Sequence, residues 1–307
     1  MATEKQLVSQ RERQIKHDDH GDDIYISSLS KGTTGVIAEK LKYFRDHYAN
    51  DGVLSVGDMR TNVNDGDYQM WQAFISKYGP RLMKDAESKY RLKNAKKTAG
   101  IDRAHLMSSI VGIAVAYATL GVNDYYGQSL ISEASSAMNF QNKVSRGRGT
   151  KVKDVAEDVE TMAKEFAEQE TQGLSMSERA WLRTDKLADQ VNGAIDRAFQ
   201  QGLDDDYYEN HLFNDGASGN SSSVLALFDS ANGYLANSLL RDKKAEIVTM
   251  VANYVAIANS LKKGYWYTVE DNRVCKPCET LAMESPYRRN AVPARPHHGC
   301  RCFIVYY

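Results

Sequence analysis

The residues best placed to do chemistry in this sequence are four cysteines and a histidine near its C-terminal end. They read Cys275-x2-Cys278, then His297-x2-Cys300-x-Cys302. Two ligands three residues apart reach one ion from a tight turn, and a second such pair closes a tetrahedron, which is how structural Zn2+ sites are built. Cys275, Cys278, His297, Cys300 and Cys302 supply one donor more than such an ion takes, so four of the five form the expected ligand set, with His298 as an outside candidate. Cysteines that are reduced or disulfide-linked and pin two strands are the competing reading. Residues 1–274 contain no cysteine, unlike a disulfide-scaffolded secreted domain. A redox C-x-x-C sits at a helix N-terminus in a βαβ context, whereas this one follows a strand and a turn. An HNH-type nuclease would need a histidine between the two pairs, and between Cys278 and His297 there is none.

The elements around the cysteines must hold them together. Tyr265-Trp266-Tyr267-Thr268-Val269 is rich in aromatic and β-branched residues and predicts a strand; Glu270 to Arg273 is a turn, and Phe303 to Tyr307 is a second strand. Between Glu279 and Pro296 there are few apolar side chains, so this small module needs a metal or a cross-link as a staple. The rest reads as helix. Apolar residues recur at helical spacing over Val36–Tyr48 and Asp67–Tyr78, the latter stopped by Gly79-Pro80. Further helices are expected over Arg81–Thr98, Ile101–Leu120, Val152–Thr171, Ser175–Gln201, Val224–Leu240 and Lys243–Lys263, the last capped by Gly264. Leu106–Asn123 is apolar but carries Ser108, Ser109, Gly112 and Thr119, which fits a buried core helix better than a membrane span.

These signals predict a mainly α protein: a multi-helix body with a small C-terminal β/loop module holding a four-cysteine cluster. The expected divisions are a flexible arm over 1–30, a helical domain over 31–140, a Gly- and Arg-bearing linker over 141–151, a second helical region over 152–264, and the cysteine-rich module over 265–307. The acidic and histidine-bearing stretch His17–Asp23 is read as part of a solvated arm, and Asn214–Ser223 as a flexible loop.

The 307 residues carry 39 Lys plus Arg against 40 Asp plus Glu, a net charge of -1 that excludes nucleic-acid binding by bulk charge and leaves local patches. The candidate patch is Arg81, Lys84, Lys93, Lys96 and Lys97 on one basic helix; Arg146, Arg148 and the end module's Arg273, Arg288, Arg289, Arg295 and Arg301 add to it. No P-loop, H-E-x-x-H, Ser–His–Asp order or Gly-x-Gly-x-x-Gly fingerprint appears, which points away from an enzyme. The charged N-terminus has no apolar core of a signal peptide.

The run Trp266 to Leu281, followed by Pro296-His297-His298-Gly299-Cys300-Arg301-Cys302, resembles the C-terminal signature of phage head-morphogenesis proteins, the Mu F-like minor head (minor capsid) proteins of tailed bacteriophages. Asp271, Arg273, Cys275, Cys278, Leu281, His297, Cys300, Arg301 and Cys302 fall on that pattern. Ala282-Met283 and His298-Gly299 depart from it. A weaker likeness extends upstream through Ser177–Trp181 and Lys244-Ala245-Glu246. The resemblance implies a virion component made in the bacterial cytoplasm and present in few copies. It implies contact with the portal protein during procapsid assembly, with scaffolding or major capsid protein and packaged DNA as further partners, and a part in DNA exit.

Overall fold

The computed structural model describes residues 3–214, 223–234, 239–269 and 276–307. The protein is mainly α, with a small sheet near the C-terminus, as the periodicities predict. In chain order the helices are α1 (Glu4–Tyr48), α2 (Val56–Met59), α3 (Asp65–Leu82), α4 (Ala86–Thr98), α5 (Arg103–Gly147), α6 (Ala156–Glu168), α7 (Met176–Gln201), α8 (Val224–Tyr234), α9 (Arg241–Ala258) and α10 (Lys276–Met283). The strands are β1 (Lys263–Tyr267), β2 (Tyr287–Arg288) and β3 (Phe303–Tyr306). Cys275, Arg273 and the expected turn over 270–273 lie outside the described residues, as does most of the loop expected over Asn214–Ser223.

The chain forms two compact units, neither contiguous in sequence. One comprises Tyr25–Asn123 and Ser177–Gly233. Its core takes Ile37, Leu41 and Phe44 from α1, Trp71 and Phe74 from α3, Leu106, Ile110 and Val111 from α5, Val191 and Ile195 from α7, and Phe228 from α8. Spacings mostly of three, four and seven gather these side chains toward one side of each helix. The start of α3 is fixed by a capping box: Asn64 accepts from the Asp67 amide and Asp67 from the Asn64 amide. Asp67 is fully buried and also takes the Tyr48 hydroxyl at 2.7 Å and Arg103 Nε at 2.9 Å, so its charge is matched. The helix runs through Pro80 to Leu82, past the expected stop, because a proline so near the end removes little of the remaining hydrogen bonding.

The other unit comprises Met1–Ile24, Asp124–Met176 and Tyr234–Tyr307. Its sheet has the order β2-β1-β3, antiparallel throughout, with Trp266 opposite Ile304 and Gly264 opposite Tyr306. Helix α9 packs against β3, and Ala252, Ala256, Leu261, Trp266, Ile304 and Tyr306 share a core with three cysteines. On the outer edge of β3 the Gln141 amide pairs both ways with the Tyr306 backbone, donating to its carbonyl at 2.7 Å and accepting from its N–H at 2.9 Å. Gly264 is not a helix cap. Helix α9 ends at Ala258, and Ser260, at φ 58°, supplies the left-handed turn. Gly264 instead lies in β1, where a Cβ would stand 3.0 Å from Tyr306 Cε1 and 3.1 Å from Val292 Cγ2.

Two expected divisions are corrected. The flexible arm expected over 1–30 is replaced by helix over residues 4–30, the first part of α1. Val8, Ile15 and Ile26 are buried, Arg11 meets Glu133 at 2.6 Å in a fully buried pair, and Asp22 meets Lys244 at 2.6 Å with both side chains buried. Charges that look solvated in sequence are therefore internally matched. Residues 141–151 are not a linker up to Gly147, since α5 continues unbroken to that point with Gln141, Val144 and Ser145 buried. Among the described residues α5 is the one helix long and apolar enough to cross a membrane, and 78% of its apolar window is buried inside the protein.

Candidate metal centre

The three described cysteines are delivered by two backbone segments. Cys278 sits in the first turn of α10, so the first knuckle opens into a helix. Cys300 and Cys302 flank Arg301 on the approach to β3, which starts at Phe303. The three sulfurs are buried, at 1%, 2% and 7% exposure, and all lie within 4.8 Å of one another. They are free thiols. Cys278 Sγ stands 3.4 Å from Cys300 Sγ and 3.7 Å from His297 Nε2. Two sulfurs on one tetrahedral ion at ~2.3 Å stand about 3.8 Å apart, and a sulfur and an imidazole nitrogen about 3.5 Å. The donors are thus near the spacing a single ion would impose.

His297 is oriented for the task. Its Nδ1 faces the His298 carbonyl oxygen at 2.7 Å, and a carbonyl can only accept, so Nδ1 carries the proton and Nε2 is left to present a lone pair toward Cys278. His298 turns elsewhere, with its Nδ1 3.0 Å from Asp242 Oδ2. It is not among the clustered donors.

The loop that carries the second knuckle is tied down by charged groups within the same unit. Asp242 accepts from the Gly299 amide as well as from His298. Arg295 donates to the Cys300 carbonyl at 3.3 Å and pairs with Glu246 at 3.5 Å. Arg301 pairs with Asp19 of α1 at 2.9 Å. Beside the sulfurs lies a cavity of about 480 Å³ lined in part by Lys16, Asp19, His20 and Arg241. Burial pushes the Asp19 carboxyl above its usual range, and Arg301 and Arg241 pull it back.

The thiols do not titrate alike. The Cys302 thiol donates to Cys300 and, with help from the Cys302 amide, Cys278 and His297, brings Cys300 down to about 6 against its burial. The same hydrogen bond, together with burial, pushes Cys302 up. Cys300 is thus the sulfur that its neighbours favour as a thiolate, the form in which sulfur ligates a cation.

Three of the five expected ligands, Cys278, Cys300 and Cys302, are gathered. His297 adjoins Cys278, and Cys275 lies outside the described residues. The basic residues fare differently. Arg81 is near the end of α3 with its guanidinium 4.9 Å from the centre of the Tyr117 ring, while Lys93, Lys96 and Lys97 are on α4 and Lys84 lies between the two helices. The single basic helix expected over Arg81–Thr98 is therefore broken, because Asp85 caps a new helix by accepting from the Ser88 amide. Lys84, Lys93, Lys96 and Lys97 are exposed. Of the end module's arginines, Arg295 and Arg301 are absorbed in ion pairs, and Arg273 lies outside the described residues. Sequence reasoning missed the partners Asp19 and Asp242, because they come from distant helices and no local spacing marks them.

Compared with protein-family models, with curated proteins and with solved structures, the chain matches none.

Proposed function

We propose that this chain is a non-enzymatic phage minor head (minor capsid) protein, acting in procapsid assembly at the portal vertex and in DNA exit, with one structural Zn2+ in its C-terminal part. One observation carries the reading: Cys278, Cys300 and Cys302 converge in a buried core beside Trp266, Ile304 and Tyr306, with His297 turned toward them. Thiolate ligands packed among apolar side chains suit an ion that holds a fold together, and Zn2+ is the ion that tetrahedral sulfur and imidazole donors favour. The fourth donor is Cys275 or His297. The motif residues that resemble minor head proteins are those that build this cluster, which connects the assembly role to it. When bound, the ion supplies charge neutralisation and cross-linking of the two knuckles; the chain's own residues orient His297 and hold the loop through Asp242 and Arg301.

The partners that follow are the portal protein first, then scaffolding or major capsid protein, with packaged DNA contacted during exit. The site of action is the virion. The test is co-expression with a phage portal protein, followed by pull-down, fractionation of virions and elemental analysis of reduced protein. Co-purification, presence in virions and about one zinc per chain support the reading. A chain that neither binds the portal nor enters particles defeats the assembly role, and metal-free protein with free thiols defeats the zinc site.

A further inference from the structure

A second feature of the C-terminal unit is a concentration of positive charge at the end of α9. Lys262 and Lys263 follow that helix, and Arg288 and Arg289 come from β2 and the turn after it. All four line one open cavity of about 650 Å³ together with Ile257 and Leu261, and among the described residues none in its lining is acidic. Lys262, Lys263 and Arg288 are exposed. Among the described residues none of the four cations forms an ion pair, although elsewhere in this unit Arg11, Arg241, Lys244 and Arg301 all do.

The sheet fixes this arrangement. Lys263 and Arg288 are direct partners across β1 and β2, and like charges placed opposite one another oppose the pairing. Arg289 is held by its amide on the Lys262 carbonyl at 2.9 Å, while its guanidinium reaches the Leu261 carbonyl at 3.5 Å. The C-terminus of α9 offsets some of the charge, but a helix end carries only about half a negative charge. Most of the four positive charges remain uncompensated on a backbone that is already ordered. By contrast, Lys89, Lys93, Lys96 and Lys97 stand on long exposed side chains along one helix, the arrangement of an ordinary solvated face.

We propose that this cavity is a phosphate-binding site for the backbone of duplex DNA, with Lys262, Lys263, Arg288 and Arg289 each meeting a phosphate. Contacts to phosphates carry no sequence information, so the binding is independent of sequence. The inference rests on the reading that this protein meets packaged DNA, and it moves the contact from α4 to the sheet edge.

The test uses the full chain and a fluorescent 20-base-pair duplex of arbitrary sequence, followed by anisotropy across a salt series. Four phosphate contacts give a slope of log K against log salt of about −3.6. The charge-reversed variant K262E/K263E/R288E/R289E should lose the binding and flatten the slope, while K89E/K93E/K96E/K97E should keep both. Unchanged circular dichroism shows that each variant is folded. Retention of binding by the first variant and its loss by the second would overturn the proposal and place DNA on α4. Equal competition by polyglutamate would overturn it in favour of an acidic protein segment, and equal competition by inorganic phosphate in favour of a small-anion site. Portal co-purification is measured separately, so the assembly role can hold while this site fails.

Discussion

Arg301, the residue between the last two cysteines, grips Asp19 of α1 with Nη2 2.9 Å from Oδ1 and Nε 3.2 Å from Oδ2. The two residues are 282 positions apart. The cysteine knuckle is thereby tied to the beginning of the chain as well as to its own strands.

The first expectation concerns the reach of the metal. Cys300→Ser should expose new protease sites within residues 4–24 and 241–269 as well as among the cysteines, because the sulfurs share a core with Ala252, Ala256 and Trp266. The core around Ile37, Phe44 and Val191 should stay resistant. Limited proteolysis read by mass spectrometry decides it. Cleavage confined to residues beyond 264 would mean an independent module, as the sequence alone suggests.

A second expectation isolates the supporting shell. Arg301→Gln keeps every ligand but frees the loop from Asp19, so metal affinity should fall about 10–100-fold. Competition with a chromogenic chelator measures this. An affinity equal to wild type would show that the ion pair does not orient the ligands.

The third concerns acid. Tyr307, Arg148 and Tyr267 all hydrogen-bond the Glu4 carboxylate, and they hold its pKa below the ordinary glutamate range although partial burial works against them. A depressed carboxylate stabilises the fold above its unfolded pKa of 4.5 and loses that contribution as pH falls through the lower folded value. Protection factors at β3, corrected for the intrinsic exchange rate, should fall in acid below that range, and Glu4→Gln should show the lower protection already at neutral pH. Identical acid profiles for wild type and Glu4→Gln would assign the effect elsewhere.

The fourth is a backbone test. Gly202 has φ +86°, and a Cβ there would stand 2.8 Å from Val53 Cγ1, beside the mutual hydrogen bonds of Leu54 and Leu203. Gly202→Ala should cost about 1–3 kcal/mol in denaturant unfolding. A loss under a few tenths would show that Val53 moves aside freely.

Local patterns placed a helix in each of α3 to α9, though only the first half of α5 and with α4 begun too early, and found the two strands and the cysteine cluster, since periodicity and ligand spacing act over few residues. What escaped them was long-range pairing. Asp22 looks solvated until Lys244 arrives 222 positions later, and Gly264 looks like a helix cap until Tyr306 and Val292 crowd it. Arg288 and Arg301 are indistinguishable as charges in the sequence; only the fold gives Arg301 a carboxylate and, among the described residues, none to Arg288.

The discontinuity of the units sets an order on the ribosome. Residues 25–233 contain every segment of one unit, so its core can close while the remainder is still being translated. The other unit needs Glu4 and Tyr307 together, at a separation of 303 residues. The Glu4 end of α1 must therefore wait for the last strand before its contact with Tyr307 can form. In that interval α1 can already meet its α5 partners, Glu133 for Arg11 and Ser136 for Gln14, and only its contacts with the terminal sheet come last.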